Sequence, residues 1–514
     1  MYKVSNLRAS FNKKYFLLII GTLLIAIVVL KFMKQGSVPK LSPYPFGFNF
    51  AFTITDDPDG NTLEKIKPVY DYLRKTGIAI TTAVWIFKGN RSNGIPDFSR
   101  KSWSVDTCER KDYLAYIQQL KKEGFEIALH GVSPGNDRRD WTIRGYEKFK
   151  DYFGAYPKMN IMHAENLENI YWGKKVVSNK ILQFLIGIFI KKSEIPFSGD
   201  DPLSEYFWGD ILMEKTKYVR LFGTSDINTL KFNPSMPYHD NNKPYVNYWF
   251  SFSDGFGVKE FNNLISKDKV DKLVKDRGAC LVYTHFAHGF VSDGKLNGTF
   301  QRRMNYLISQ RDGWFVPASD ILDRLLLMKK VILTKEKNRI MVVNLNTVEI
   351  EGVTVIVPFG RVWYDPNGRE YAVNDEGEII LENLDAGGAV VLLNNNPLVL
   401  RKEKRHNSTD NRMTVINFGD AIYILKKNGT NFERLFNGIS FSPQLFDVNG
   451  QEVSKTKNGQ YVAFELTCKK GSVFFKNKRV MRAKEDHPGR WENFKMVFQR
   501  ALLYIKHNKG KLGL

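Results

Sequence analysis

The sequence predicts an α/β fold: a (β/α) barrel preceded by one membrane-spanning helix and followed by β-sandwich-like modules. Three observations point there. Tyr15–Leu30 is an uncharged apolar run. From Phe46 to about Leu327, strand-like runs alternate with helical periodicity. Beyond Lys330 come Val- and Ile-rich runs separated by turn signals. At 514 residues, with 43% hydrophobic and 25% charged residues, the chain can build several cores, which excludes a disordered, collagen-like or polytopic membrane protein. Cys108, Cys280 and Cys468 are too few and too dispersed for a disulfide scaffold or a Cys-rich zinc site. A net charge of +22 implies an anionic partner: a membrane surface, an acidic glycan or nucleic acid.

Residues 1–14 hold Lys3, Arg8, Lys13 and Lys14 and no acid, which reads as a cytoplasmic tail. Residues 15–33 supply about the ~20 residues of a spanning helix, with Lys31 snorkelling at its edge. No A-x-A cleavage signal follows, so the segment reads as a retained single-pass anchor in the cell membrane. The remaining chain is then extracytoplasmic. That position, and the lack of an aromatic–basic RNA motif, removes nucleic acid as a partner. Residues 34–45 contain Pro39, Pro43 and Pro45 and read as a linker.

The barrel is expected over residues 46–330. Phe48–Thr55 is an apolar strand, and Thr62 caps a helix with Leu63, Ile66, Tyr70 and Leu73 on one face. Ile78–Phe87 is strand-like. Leu114, Ile117 and Leu120 mark a helix ending at Gly124, before the strand Phe125–Leu129. Helix Tyr146–Phe153 with strand Met159–Met162, and Val270, Leu273 and Val274 with strand Ala279–Thr284, repeat the unit. Residues 331–400 read as a β-sandwich-like module and 401–480 as a second β-rich region. The tail, 481–514, carries eight basic and three acidic residues, with Phe494, Val497, Phe498, Ala501, Leu502 and Ile505 at helical spacing. Such a helix suits an anionic membrane surface and equally suits docking on its own domain. Ile181–Ile190 is too short to span a membrane and reads as a core helix or an interfacial segment.

Of eight histidines, His130, His163, His285 and His288 fall at the ends of apolar strands in the barrel region, where Asp56 and Asp57 also end a strand. Active sites of (β/α) barrels form at the C-terminal ends of the strands, so this set points to a metal or acid–base site. Trp172 and Tyr171 are candidates to stack on a sugar face, since aromatic planes match apolar sugar faces; core packing is the other reading of each.

The order of these motifs resembles that of the polysaccharide deacetylase family (carbohydrate esterase family four) over about residues 46–327. Thr53-Ile54-Thr55-Asp56-Asp57 is similar to its first motif and Gly124–His130 to the strand bearing the first metal histidine. Tyr218–Gly223 resembles the Arg-containing third motif, Tyr248-Trp249 the fourth, and Leu281–His285 the strand ending in the catalytic histidine. The resemblance implies a distorted barrel of the polysaccharide deacetylase type. It implies a divalent metal, zinc with nickel or cobalt as alternatives, bound by Asp57 and His130. It implies Asp56 as the base held by Arg220, and His285 as the acid. It implies removal of acetyl groups from an acetylated polysaccharide, with Trp249 near the acetyl pocket. The family places a second metal histidine four residues after the first; here that position is Pro134. His163 is the first substitute, followed by Asn136, Asp137 and His288; His288 is otherwise a substrate contact. The rival readings are a glycan-binding or assembly protein that keeps the barrel without catalysis, and a glycosidase pairing Asp57 with Asp200 or Asp201.

Overall fold

A computed structural model describes residues 38–88, 105–163, 166–176, 196–336, 339–357, 360–365 and 368–395, strand segments between 413 and 480, and Met496. The anchor, the cytoplasmic tail, Ile181–Ile190 and the tail helix other than Met496 lie outside the described residues. Among the described residues no helix is long and apolar enough to cross a membrane. The chain divides into two compact units, one built around residues 47–328 and one around 38–46 and 329–454.

The first strand, β1 (Lys40–Pro45), belongs to the second unit. In the first unit seven parallel strands close into a ring. They are β2 (Phe50–Asp56), β3 (Thr81–Val84), β4 (Glu126–Leu129), β5 (Met159–Asn160), β6 (Tyr218–Thr224), β7 (Tyr248–Asp254) and β8 (Ala279–Thr284). Ring closure is the pairing of β8 with β2, from Ala51↔Ala279 to Asp56↔Thr284. All seven strands run the same way, so their C-terminal ends gather at one mouth.

The crossovers are helical. They comprise α1 (Leu63–Thr76), α2 (Lys111–Lys122), α3 (Arg139–Phe153), α4 (Gly209–Lys215), α5 (Thr229–Phe232), α6 (Val258–Leu264) and α7 (Lys267–Lys275). In α1, Ile66, Val69, Tyr70 and Leu73 are the buried stripe, at the helical spacing the sequence shows. Thr62 precedes it without a side-chain cap; the Leu63 N–H is met by Asp106 Oδ2 at 2.7 Å instead. Gly77, at φ 74°, closes the helix in the left-handed region that glycine tolerates. A small hairpin, β9 (Val291–Ser292) and β10 (Lys295–Leu296), leads into α8 (Gly298–Ile308). Strand β11 (Gly313–Phe315) then pairs with the lower half of β2, outside the ring, and α9 (Ala318–Met328) ends the unit.

The second unit is β-rich. Its strands are β12 (Val331–Glu336), β13 (Arg339–Asn344), β14 (Ile350–Ile356), β15 (Val362–Tyr364), β16 (Glu370–Ala372), β17 (Glu378–Leu384) and β18 (Ala389–Leu393). One sheet has the order β1-β14-β17. The other runs β16-β15-β18-β13-β12 and continues into Gln444–Phe446. Asn344 ties the two sheets, donating from Nδ2 to the carbonyls of Val348, Leu384 and Asp385. Two corrections to the sequence reading follow. Lys40–Pro45 is a strand rather than linker, and its prolines are accommodated because β1 is an edge strand. A segment beyond residue 401 also completes the sheet of residues 331–400, so the two β regions are not wholly separate modules.

Met496 is fully buried in the hydrophobic cluster of the barrel unit, its Sδ 4.0 Å from Ser251 Oγ. At this residue the C-terminal tail is covered by protein.

Gly145 of α3 lies against Val132, in the loop after β4. A Cβ at position 145 would sit 2.4 Å from the Val132 Cβ. Gly145→Ala gains about 1 kcal/mol of helix propensity. Relieving the overlap costs about 1–3 kcal/mol. We expect the clash to win, with a lower Tm in thermal denaturation of the full chain, restored by adding Val132→Ala. An unchanged or raised Tm in the single variant contradicts this packing.

Candidate metal centre

Alternation along β2 decides which acids meet at the mouth. Successive residues of a strand face opposite sides. Thr55 and Asp57 therefore face the lumen, while Asp56 faces the helix layer. There Asp56 is fully buried: Oδ2 accepts from Tyr70 OH at 2.9 Å and Asn61 Nδ2 at 3.0 Å, and Oδ1 from the Phe286 N–H at 2.8 Å. Tyr70 belongs to α1, so Asp56 joins strand, helix and the loop after β8.

Asp57 is held by Arg220. The guanidinium donates to Oδ1 at 2.8 Å and to Oδ2 at 2.5 Å, and to Thr55 Oγ1 at 3.0 Å. Arg220 starts from β6, across the ring from β2. It crosses the lumen over the rings of Phe252 on β7 and Tyr283 on β8, with Cζ 5.0 and 4.6 Å from their centroids. Both members of the pair are buried, and the fork-to-fork geometry is that of a strong charge-assisted contact.

With both Asp57 oxygens engaged, the carboxylate that faces the histidines is Asp59. Pro58 turns the chain after β2 and brings Asp59 back over the mouth. Its Oδ2 lies 3.1 Å from His130 Nε2 and 3.5 Å from His285 Nε2, and its Oδ1 lies 3.2 Å from His163 Nε2. Burial alone would raise this carboxyl, but the charges and hydrogen bonds of His130 and His163 outweigh it and hold Asp59 well below the usual carboxylate range.

Each imidazole is placed by its strand. His130 follows β4, with its carbonyl accepting from Trp85 Nε1 at 2.7 Å. Its Nδ1 is buried without a hydrogen-bond partner, 4.0 Å from Asp57 Oδ2. His163 follows β5 and is partly exposed, with Nδ1 on Asn166 Oδ1 at 2.7 Å. His285 follows β8, and its Nδ1 meets the Phe256 carbonyl at 2.8 Å. A carbonyl only accepts, so this nitrogen carries the hydrogen and Nε2 is the atom turned to the site. Burial works to lower the His285 pKa, yet Asp59, the charge of Asp57 and the Phe256 carbonyl together raise it above the ordinary histidine value.

Asp59, His130 and His163 each offer one donor atom, all within 4.8 Å of one another. Ligands about 2.0–2.1 Å from a tetrahedral cation stand roughly 3.3 Å apart. The 3.1 Å from His130 Nε2 to Asp59 Oδ2 and the 3.2 Å from His163 Nε2 to Oδ1 are near that spacing, each imidazole addressing a different oxygen of the one carboxylate. One carboxylate and two imidazoles form a donor set suited to zinc, which in catalytic sites pairs three such ligands with a water. The outward hydrogen bond of His163 is the second-sphere contact usual for metal-ligating histidines. The residues fit a divalent cation. A second group, Asp57, Asp59 and His285, has a comparable spacing. Arg220 already neutralises Asp57, which makes that group the poorer cation site.

The sequence-derived assignments need correcting in several places. Arg220 braces Asp57, not Asp56. Asp57 is an ion-pair partner rather than the carboxylate nearest His130 Nε2. Asp59 was overlooked, although it is the third acid within four residues at a strand end. His163 lies at the site, as do His130 and His285. Of the other substitutes, Asn136 accepts from the Leu167 N–H at 2.9 Å, and Asp137 folds back on Ser133. His288 stacks on His285 with ring centroids 4.7 Å apart. Trp249 is fully buried, which leaves it no surface for a ligand and corrects its assignment to substrate binding. Trp172 is half-buried against the barrel cluster. Asp200 pairs with Lys175 at 2.9 Å and Asp201 accepts from the Leu203 N–H at 3.1 Å, so each is engaged locally rather than with Asp57.

Similar solved structures include a Mycobacterium smegmatis protein assigned as a polysaccharide deacetylase, at 12% identity and a TM-score of 0.31, over 55% of this chain and 92% of that one. An allantoinase is similar at 10% identity and a TM-score of 0.34 over the same shares. The chitin deacetylase of the fungal pathogen Colletotrichum lindemuthianum is similar at 13% identity and a TM-score of 0.26, over 56% and 92%. No protein-family profile and no curated protein matches the sequence. At such scores the likenesses carry no weight, and the chemistry rests on the side-chain geometry.

Burial pushes the Asp56 carboxyl up to about 7, against the hydrogen bonds that favour its charged form. An unfolded Asp titrates near ~3.9. Between about pH 4 and 7 the unfolded chain therefore releases a proton that the folded chain keeps. The Asp56 contribution to stability then falls as pH rises, by about 1.4 kcal/mol per pH unit. The depressed Asp59 acts below this window, and His285 contributes alike to both proteins in the comparison. Urea denaturation of chelator-treated protein from pH 4 to 7 should show a smaller fall in stability for Asp56→Asn than for the wild type. An unchanged slope contradicts the burial of a protonated Asp56.

Proposed function

We propose that the chain is a membrane-anchored, metal-dependent hydrolase that removes acetyl groups from a cell-surface or exported glycan. The observation that carries this reading is the division of labour between two neighbouring acids: Asp59 faces two imidazoles at cation-ligand spacing, while Asp57 is braced by Arg220 beside it.

Asp59, His130 and His163 hold the cation. When bound, a divalent ion such as zinc lowers the pKa of water and polarises an acyl carbonyl. Asp57 is the base that takes the proton of the attacking water. Arg220, through two parallel hydrogen bonds, fixes its orientation. His285 is the acid. Its Nδ1–H is engaged by the Phe256 carbonyl, so the proton delivered to the departing sugar amine or alcohol is the one on Nε2. Its raised pKa suits a group that must be protonated near neutrality. Asp56, turned to the helix layer, has no part in proton transfer and supports the strand end that carries Asp57.

The glycan as substrate rests on the motif order along residues 46–327, and the anchor on the apolar segment 15–33. Removing N-acetyl groups would expose amines and make the polymer more cationic.

The test separates binding from turnover. The full chain, purified in detergent, is analysed for zinc and assayed for acetate release from partially acetylated glycans. Wild type should hold about one zinc per chain, and Asp59→Asn and His163→Ala should lose it. Asp57→Asn and His285→Gln should keep zinc but release acetate about 10²–10⁴-fold more slowly. The alkaline limb of the pH–rate profile should vanish in His285→Gln. A wild type without zinc supports the glycan-binding alternative and ends the hydrolase reading.

A further inference from the structure

Pro134 stands where the resemblance would place a second metal histidine, and His163, from the next strand, lies at the site instead. A ligand borrowed from another loop needs its own means of alignment. We propose that Asn166 is a positioning residue that fixes His163 as a cation ligand by accepting the Nδ1–H and leaving Nε2 to face Asp59. The inference rests on the metal centre proposed above.

The hydrogen bonds determine which way the amide points. Asn166 Nδ2 lies 2.6 Å from the Gly135 carbonyl and 2.7 Å from Glu168 Oε1. A carbonyl can only accept, so the NH2 must be on that side. The amide oxygen is therefore the atom 2.7 Å from His163 Nδ1, and that nitrogen must carry a hydrogen to bond it. With the hydrogen of Nδ1 committed to Asn166, Nε2, 3.2 Å from Asp59 Oδ1, is the nitrogen left to donate its own hydrogen to Asp59 or, once that proton is released, its lone pair to a cation. The reverse tautomer would set two lone pairs against each other at Asn166.

The frame around Asn166 is rigid on both sides. Asn166 is buried, Asn136 Oδ1 accepts from the Leu167 N–H at 2.9 Å, and Asn169 Nδ2 donates to the His163 carbonyl at 2.5 Å. Glu168 Oε2 accepts from the Asp137 N–H at 3.1 Å. The loop after His130 and the turn after His163 are thus sewn together through residues 135–137 and 166–169. The loop that lacks a histidine at position 134 orients, through Gly135 and Asn166, the histidine that stands in for it.

Chelator competition with zinc alone, on the full chain, tests this without reference to activity. Asn166→Leu keeps the side-chain volume and removes the acceptor; it should weaken zinc about 10–100-fold. Asn166→Asp restores an acceptor for Nδ1–H and should recover most of that loss. The decisive comparison is a double-mutant cycle. If Asn166 acts through His163, Asn166→Leu adds nothing to His163→Ala. Wild-type affinity in Asn166→Leu, with zinc affinity measurably weakened in His163→Ala, overturns the inference and leaves the metal centre standing. An equal further loss in the His163→Ala background also overturns it, since the role is then structural. A wild type that takes up no zinc overturns both.

Discussion

The buried ion pair between Asp57 and Arg220 organises the rest of the site. A lone carboxylate in the lumen would be strongly destabilising, and so would an unpaired guanidinium. Arg220 solves both by reaching across the ring, and in doing so it occupies both oxygens of the acid nearest the strand end. What remains for the histidines is Asp59. The pair therefore acts as a sorting device. It makes one acid an oriented, ion-paired group and leaves the other to face the imidazoles.

The barrel makes this sorting possible. Parallel strands put His130, His163, His285 and the acids of β2 at one mouth, although they are scattered over some 230 residues of sequence. Arg220 must cross a lumen already lined by aromatic rings. Phe252 and Tyr283 accept its flat face, which reduces the cost of moving a cation out of water. The outer layer contributes as well: Tyr70 and Asn61 hold Asp56, so the two acids preceding Pro58 are fixed on opposite sides of one strand.

Much of the fold is legible in the sequence because hydrophobic periodicity reports directly on burial. The strand Ala279–Thr284 agrees with its pattern residue by residue; of the stripe expected on the first helix Ile66, Tyr70 and Leu73 are buried, Leu63 is half-buried and Val69 joins them. Strand ends followed by histidine locate the mouth for the same reason. The roles of the acids were not legible from the motif alone, since a resemblance to an Asp-Asp pair does not say which acid faces which way. Strand alternation would have: Thr55 and Asp57 share a face, so Asp56 cannot be the acid that Arg220 reaches through the lumen. Asp59 was hidden for a different reason. It follows Pro58, and only coordinates show that this turn carries it back over the ring. Likewise, nothing local marks β1 as a strand, because its pairing partner lies some 300 residues further on. For Trp249 the sequence leaves pocket and core both open, because a tryptophan on a strand next to the site can face either layer; it is buried.

Anomalous diffraction from zinc-loaded crystals of the protein would test the assignment of the acids most directly. The account requires a zinc peak about 2.0–2.2 Å from a carboxylate oxygen of Asp59 and from ring nitrogens of His130 and His163, with Asp57 still clasped by Arg220. A peak ligated by Asp57, with its contact to Arg220 broken, or zinc bound away from Asp59 altogether, would contradict it.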